Sequence, residues 1–213
     1  MKRLLTFSLV IACFSSWSQQ YMDTHDPEEI KSILNKENEL HPFAGADVKA
    51  GQIYQERAII TGAYGGVMIN KNLFLGLGGY GIATDSEFEG VMPDNSRKML
   101  NIEGGYAGIM LGGIVFAREV VHITVPVLFG AGALYVTDNN FFEGYDSDSD
   151  FIIESSSYLV VEPTAQIEVN ITKSFRIGAG VSYRYLEGLE LKNLNNGNLN
   201  DYSISLSVRF GRF

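Results

Sequence analysis

Cysteine occurs once in the 213 residues, at Cys13, so the chain can form no internal disulfide. Histidine occurs three times, at His25, His41 and His122, and none stands at a metal-ligand spacing from another His or from the cysteine. Beyond the N-terminal segment there is no uninterrupted apolar run of roughly 18 residues, which leaves no candidate transmembrane helix. Positive charge is in deficit. A formal net charge of −9 argues against nucleic acid as a partner. Glycine is plentiful at 23 residues, mostly inside apolar segments rather than in linkers. With 46% apolar residues and no spanning helix, the apolar content is either buried in a β-rich core or displayed outward by strands.

The opening MKRLLTFSLVIACFSSWSQQ places Lys2 and Arg3 before an apolar run from Leu4 to Phe14, followed by Ser16-Trp17-Ser18. That is the layout of a secretory signal peptide, 1–18, too short and wrongly flanked to be a spanning helix. The signal carries +2, which leaves about −11 on the mature chain. A second reading stays open: Val10-Ile11-Ala12-Cys13 resembles a bacterial lipoprotein signal, in which Cys13 is lipidated. Ordinary cleavage is preferred because the apolar run continues past Cys13 and a small-residue site follows it. Residues 19–41 form a polar segment with one short helix. Asp26-Pro27-Glu28-Glu29 supplies an acidic N-cap with Pro at the first helical position, and Ile30, Ile33 and Leu34 share a face.

From residue 42 to 213 the texture is β. Strands are expected at 43–51, 55–69, 72–84, 98–116, 120–136, 157–171, 174–187 and 201–213. The connections alternate in length. Asn70-Lys71, Ala117-Arg118-Glu119 and Thr172-Lys173 are tight, whereas 85–97, 137–156 and 188–200 are long and polar. Short turns on one side and long loops on the other are the stringing of an outer-membrane barrel. The connection near Gln52-Ile53-Tyr54 departs from this by being short, and the first strand's pairing stays open.

Period-two alternation runs through several of these segments. Glu162, Thr164, Gln166, Glu168 and Asn170 oppose Val161, Pro163, Ala165, Ile167, Val169 and Ile171. Arg176, Gly178, Gly180, Ser182 and Arg184 oppose Phe175, Ile177, Ala179, Val181, Tyr183 and Tyr185. Ser203, Ser205, Ser207 and Arg209 oppose Tyr202, Ile204, Leu206, Val208 and Phe210. In 99–116, Asn101, Glu103 and Gly105 oppose Leu100, Ile102, Tyr106, Met110, Ile114 and Phe116. The polar faces are small residues with isolated charges of both signs, unlike the mixed polar surface of a soluble sandwich. Eight strands enclose an interior just wide enough for side chains to fill. The expectation is an interior charge network of Glu103, Glu162, Glu168, Arg176, Arg184 and Arg209, paired because unpaired buried charge is costly. Pro126 and Pro163 donate no ladder hydrogen bond, so a bulge or a local gap is expected at each. Tyr54, Phe74, Tyr80, Phe116, Tyr135, Tyr158, Phe175, Tyr185, Tyr202 and Phe210 are candidates for aromatic girdles.

On these strands, together with the signal peptide and the ending SISLSVRFGRF, the chain resembles the small eight-stranded outer-membrane β-barrel proteins of Gram-negative bacteria, the OmpA/OmpX-like superfamily. The resemblance implies an all-β, antiparallel up-and-down transmembrane barrel with short periplasmic turns and longer outer loops. It also implies a monomer in the outer membrane after secretion across the inner membrane, with outer-membrane lipid, lipopolysaccharide and the barrel assembly machinery as partners. Such barrels end in an aromatic that the assembly machinery reads. Phe210 has the lipid-facing parity and Phe213 the other, which leaves open which of the two serves.

Motifs for chemistry are weak. Gly76-Leu77-Gly78-Gly79-Tyr80-Gly81 matches a dinucleotide fingerprint, yet Ile82-Ala83-Thr84-Asp85 follows with no helical pattern, so no cofactor is expected. Asp146, Asp148 and Asp150 form a weak candidate metal site in the acidic segment 137–156. An EF-hand starting at Asp146 needs Gly at 151 and Glu at 157, where this chain has Phe151 and Ser157. The plain alternative is a solvated acidic loop. His122 reads as an interfacial residue beside a turn, and no nucleophile stands near it in pattern, so no enzyme is expected. The function expected is structural or surface-interacting through acidic outer loops, with the interior plugged by paired charges. A narrow channel for small solutes or ions and a soluble lipocalin-like carrier are the alternatives.

Overall fold

The structure, a computed structural model, describes residues 39–54, 56–84, 86–92, 95–138, 152–192 and 196–213. The signal peptide expected at 1–18, the short helix expected from Asp26-Pro27 onward and the candidate metal residues Asp146, Asp148 and Asp150 lie outside the described residues. Nine strands follow one another: β1 Leu40–Ile53, β2 Glu56–Ile69, β3 Leu73–Ile82, β4 Glu87–Val91, β5 Arg97–Val115, β6 Val121–Asp138, β7 Ile152–Thr172, β8 Phe175–Glu187 and β9 Asp201–Gly211. Every pairing is antiparallel. The order β3-β2-β1-β9-β8-β7-β6-β5 closes on itself through β3–β5, giving a barrel of eight strands. β4 extends the course of β3 along the same edge of β5 after a break at 83–86.

Eight of the nine strands match the sequence expectation, and the first is longer than expected, pairing with β2 over its whole length and with β9 from Phe43 to Ala50. β4 lies inside what the sequence marks as the loop 85–97, and β7 begins five residues earlier than expected. The tight connections hold. At Asn70-Lys71 both residues have positive φ (50° and 65°) and Asn72 N donates to Ile69 O at 3.2 Å, the geometry of a two-residue hairpin turn matched to strand twist.

The prolines produce gaps without a shift of register. Between β6 and β7 the pairs run from Thr124↔Gln166 to Val127↔Pro163, skipping the two positions between, and β7–β8 skips from Val161↔Tyr185 to Thr164↔Ser182. The ladder resumes on both sides in the same register, so each proline opens the ladder without inserting a residue. The true irregularities are elsewhere, at Val136/Thr137 and at Asn170/Thr172.

Alternation sorts residues into an inner and an outer set. The outer surface carries Leu73, Leu75, Leu77, Ile109, Leu111, Ile123, Ile167, Ile177, Val181, Ile204, Leu206 and Val208, with Leu77 and Ile204 each 67% exposed. From Tyr202 to Phe210 on β9 this apolar face runs about 26 Å along the strand, or about 20 Å along the axis at a tilt of about 40°. Tyr183–Tyr202 and Phe175–Phe210 are tilted ring pairs at its two ends, with centroids 4.7 and 4.8 Å apart. The outward aromatics Phe116, Tyr135, Phe175, Tyr185, Tyr202 and Phe210 suit the expected girdle. Phe74, Tyr80 and Tyr158 do not: they are buried inside the barrel.

The inner set is half apolar, and this corrects the parity expected for 99–116. Leu100, Ile102, Tyr106, Met110 and Ile114 point inward and are buried, whereas Glu103 is exposed on the outer face. They join Ile53, Ile60, Phe88, Val136, Leu186, Leu189 and Leu199 in one hydrophobic cluster that runs from Leu100 and Ile102 near the long connections to Ile114 beside the tight turn at 117–119. A closed eight-stranded interior is itself a core, so large apolar side chains fit inside as well as outside.

Candidate functional site in the barrel lumen

The polar half of the lumen is built by β1 and β6 to β9, whose inward residues are charged or small. Two ion clusters result. In the first, Lys49 Nζ donates to Glu162 Oε1 at 2.7 Å and Tyr106 Oη donates to Glu162 Oε2 at 2.5 Å. Lys49 Nζ also sits 3.5 Å from the ring centroid of Tyr80, whose hydroxyl donates to Asp47 Oδ2 at 2.9 Å. Tyr80 and Tyr106 stack at 5.3 Å, so the ammonium has a carboxylate on one side and an aromatic face on another.

The second cluster lies nearer the tight turns. Glu168 receives His122 Nε2 at 3.0 Å, Arg209 Nη2 at 3.1 Å and Arg176 Nη1 at 3.8 Å. Arg176 Nε donates to Asn170 Oδ1 at 2.7 Å, and its guanidinium lies 3.7 Å from the ring centroid of Phe213. Phe213 therefore packs across this end of the lumen, while Phe210 keeps the outward parity. All four ionic side chains are at least 98% buried. Charges so far from water persist only when paired, and here they are.

The six residues of the expected interior network divide three ways. Glu168, Arg176 and Arg209 meet one another as expected. Glu162 is inside but its partner is Lys49, with no arginine on it. Arg184 is buried and, among the described residues, forms no salt bridge with a carboxylate; its Nη2 donates to the carbonyls of Leu199 and Gln52, at 3.1 and 3.3 Å, and its Nε to Leu199 O at 3.3 Å. It thereby ties the β8–β9 connection and the end of β1 to the barrel wall. Glu103 is not in the network; it accepts from Thr137 Oγ1 at 3.2 Å on the outer side.

Sequence reasoning missed Asp47, Lys49, Tyr80, Tyr106 and His122. The first two were legible: Phe43, Asp47, Lys49 and Ile53 share one parity on β1, with Gly45 and Gly51 between them. His122, read as interfacial, is 1% exposed and held by Glu168. Its parity with Thr124 was the available signal.

Among the described residues, a chamber of about 10 Å³ lies between the two clusters, too small for any solute larger than water. Among the described residues, no group of three or more His, Cys, Asp and Glu side chains is placed to hold a metal ion.

This closed ring with a filled polar lumen and an apolar exterior defines the fold of the small eight-stranded outer-membrane barrel proteins. Solved structures of that class superpose on it. Neisserial surface protein A matches at a TM-score of 0.57 with 12% identity, over 84% of this chain and 100% of its own. The attachment invasion locus protein Ail of Yersinia pestis, in complex with the heparin analogue sucrose octasulfate, matches at 0.48 with 14% identity, over 82% of this chain and 99% of its own. No protein-family model matches the chain, and no curated protein matches its sequence.

Proposed function

We propose that this chain is an integral protein of the Gram-negative outer membrane, exported by its signal peptide, with a structural or surface-interaction role exercised at the loop end. The observation that carries this is the inversion of polarity: leucines and isoleucines cover the outside of the closed barrel, and paired charges fill the inside. In water that exterior would be one large apolar patch, far beyond what monomeric soluble proteins expose. The same inversion disfavours a lipocalin-like carrier, which needs an apolar pocket inside. The sealed lumen disfavours a channel and gives a soluble substrate no route to His122, which supports a non-enzymatic reading.

The loop end has the composition of a contact surface. The segments 85–97, 137–156 and 188–200 carry eleven acidic and two basic side chains. Outer-membrane lipid and lipopolysaccharide surround the belt, the assembly machinery inserts it, and the barrel acts as a monomer. Divalent cations at the acidic segment, with Asp146, Asp148 and Asp150 as candidates, bridge it to anionic lipopolysaccharide; calcium calorimetry with no heat at millimolar calcium removes that part.

The test of the whole reading is gel migration of the detergent-extracted membrane fraction, boiled against unboiled, paired with conductance in planar bilayers. A heat-dependent shift and silent bilayers are expected. A soluble protein without a shift, or steady channels of uniform size, overturns it.

A further inference from the structure

The chamber between the two ion clusters is lined by Asp47, Tyr64, Gln166 and Arg209, with Lys49 and Glu162 at its other side. Asp47, Tyr64 and Gln166 are 6%, 6% and 3% exposed, and each has one polar atom with no hydrogen-bond partner in the protein: Asp47 Oδ1, Tyr64 Oη and Gln166 Oε1. Their neighbouring atoms are already engaged. Asp47 Oδ2 accepts from Tyr80, and Gln166 Nε2 reaches Ser205 Oγ at 3.5 Å. What remains is two acceptors, one hydroxyl and the Nε–H of Arg209, which also lines the chamber.

We propose that the chamber is a binding site for a single water molecule, which donates to Asp47 Oδ1 and Gln166 Oε1 and accepts from the Tyr64 hydroxyl. Three arguments select water. The volume of about 10 Å³ suits one water and nothing larger. The lining charges balance, with Asp47 and Glu162 against Lys49 and Arg209, so a cation meets two cationic groups and an anion meets two carboxylates. The two acceptors take the two donors of one water and the Tyr64 hydroxyl takes one lone pair, leaving the other open to Arg209 Nε, within the two to four bonds usual for a buried water. Bound there, the water joins the two clusters into one polar column from Tyr106 to His122. The loop-end members of the apolar cluster, among them Leu100, Ile102 and Leu199, still cap that column.

The test uses the mature barrel refolded in micelles. A crystal structure at a resolution that defines ordered water should show density within hydrogen-bonding distance of all three atoms. Oxygen-17 relaxation dispersion, which counts long-lived internal waters, should show one fewer in Gln166→Leu than in the parent. The heat-dependent gel shift verifies that the variant is folded. A dry chamber in the parent crystal, with Asp47 and Tyr64 bonded directly to each other, overturns the assignment. So does an unchanged count in a folded variant. If Gln166→Leu does not fold, the parent's density alone decides.

Discussion

Replacing Lys49 with methionine removes the ammonium that donates to Glu162 and leaves the carboxylate 2% exposed. The gross attraction across 2.7 Å is about 6 kcal/mol at an effective dielectric constant of about 20. Much of that is offset by the cost of burying both ions, so the net worth of the pair is far smaller than the cost of breaking it. Tyr106 keeps its bond to Glu162 Oε2, but a phenol supplies no countercharge. Breaking one side of a buried pair costs about 3–5 kcal/mol, and the loss of the ammonium from the Tyr80 face acts in the same direction. Glu162→Gln alone should also destabilise, to a smaller degree, because Asp47 stands close to the stranded ammonium. The double variant removes both charges and should cost well under the sum of the singles, with a coupling of about 2–3 kcal/mol. The assay is reversible urea unfolding in lipid vesicles for all four proteins. Far-ultraviolet circular dichroism is the probe, because the one tryptophan, Trp17, precedes the barrel strands, within the segment expected to be a signal peptide. A Lys49→Met barrel within about 0.5 kcal/mol of the parent, or a coupling near zero, refutes the claim that this pair holds the lumen.

Other positions separate the two faces. Leu206→Arg on the outer belt should cost about 2–4 kcal/mol in the same unfolding assay, whereas Ser205→Ala, its inward neighbour, should cost less than about 1 kcal/mol. Gly66→Ala brings a Cβ to 2.1 Å from Leu75 O and should cost about 1–3 kcal/mol. Gly113→Ala, whose Cβ meets nothing nearer than 3.9 Å, should be close to neutral. Phe213→Ala removes the ring under Arg176 and should cost about 1–2 kcal/mol. Phe210→Ala leaves that stack in place, so it should lower the yield of folded barrel in the membrane fraction more than it lowers stability.

How much of this was legible in the sequence depends on which kind of residue faces inward. On β7, β8 and β9 the inward residues are Glu, Gln, Thr, Ser and Arg against outward Ile, Leu, Val and Tyr, and the parity read from polarity is the parity observed. On β5 the rule that polar means inside fails. Tyr106 and Met110 stack against inward residues of β3 and β6, and the outward residues alternating with them include Ile109 and Leu111. Both faces of that strand are apolar, so polarity selects neither, and Glu103 was assigned by a pattern that does not operate there. The missed β4 has a different cause. Glu87-Phe88-Glu89-Gly90-Val91 is five residues of clean alternation hidden in an acidic segment, and its pairing with β5 is tertiary. The lysine on Glu162 was hidden by distance: Lys49 is 113 residues away and meets it across the lumen, a contact that no strand-neighbour argument reaches.

A lumen filled in this way shifts the question of function to the two ends. Opening it requires separating Glu162 from Lys49 and Glu168 from two arginines, each at a cost of about 3–5 kcal/mol, and displacing the apolar cluster above them. The two separations alone come to about 6–10 kcal/mol, comparable with the whole stability of about 5–15 kcal/mol, so opening the lumen competes with unfolding. The ends are also unlike each other. Lys71, Arg118, Lys173 and Arg212 stand at the tight-turn end against Glu39 and Glu119, while 85–97 and 137–156 at the other end carry ten acidic side chains against Arg97. A partner approaching the loop end therefore meets a negative potential whose reach is about 8 Å at physiological salt. Association through that end should favour cationic surfaces and weaken steeply with added salt. Surface-plasmon binding of the reconstituted barrel to a polycationic and a polyanionic probe, at low and high ionic strength, measures this directly. Equal binding of both probes, or binding indifferent to salt, would detach the acidic connections from any role in recognition and leave the barrel a structural element of its membrane.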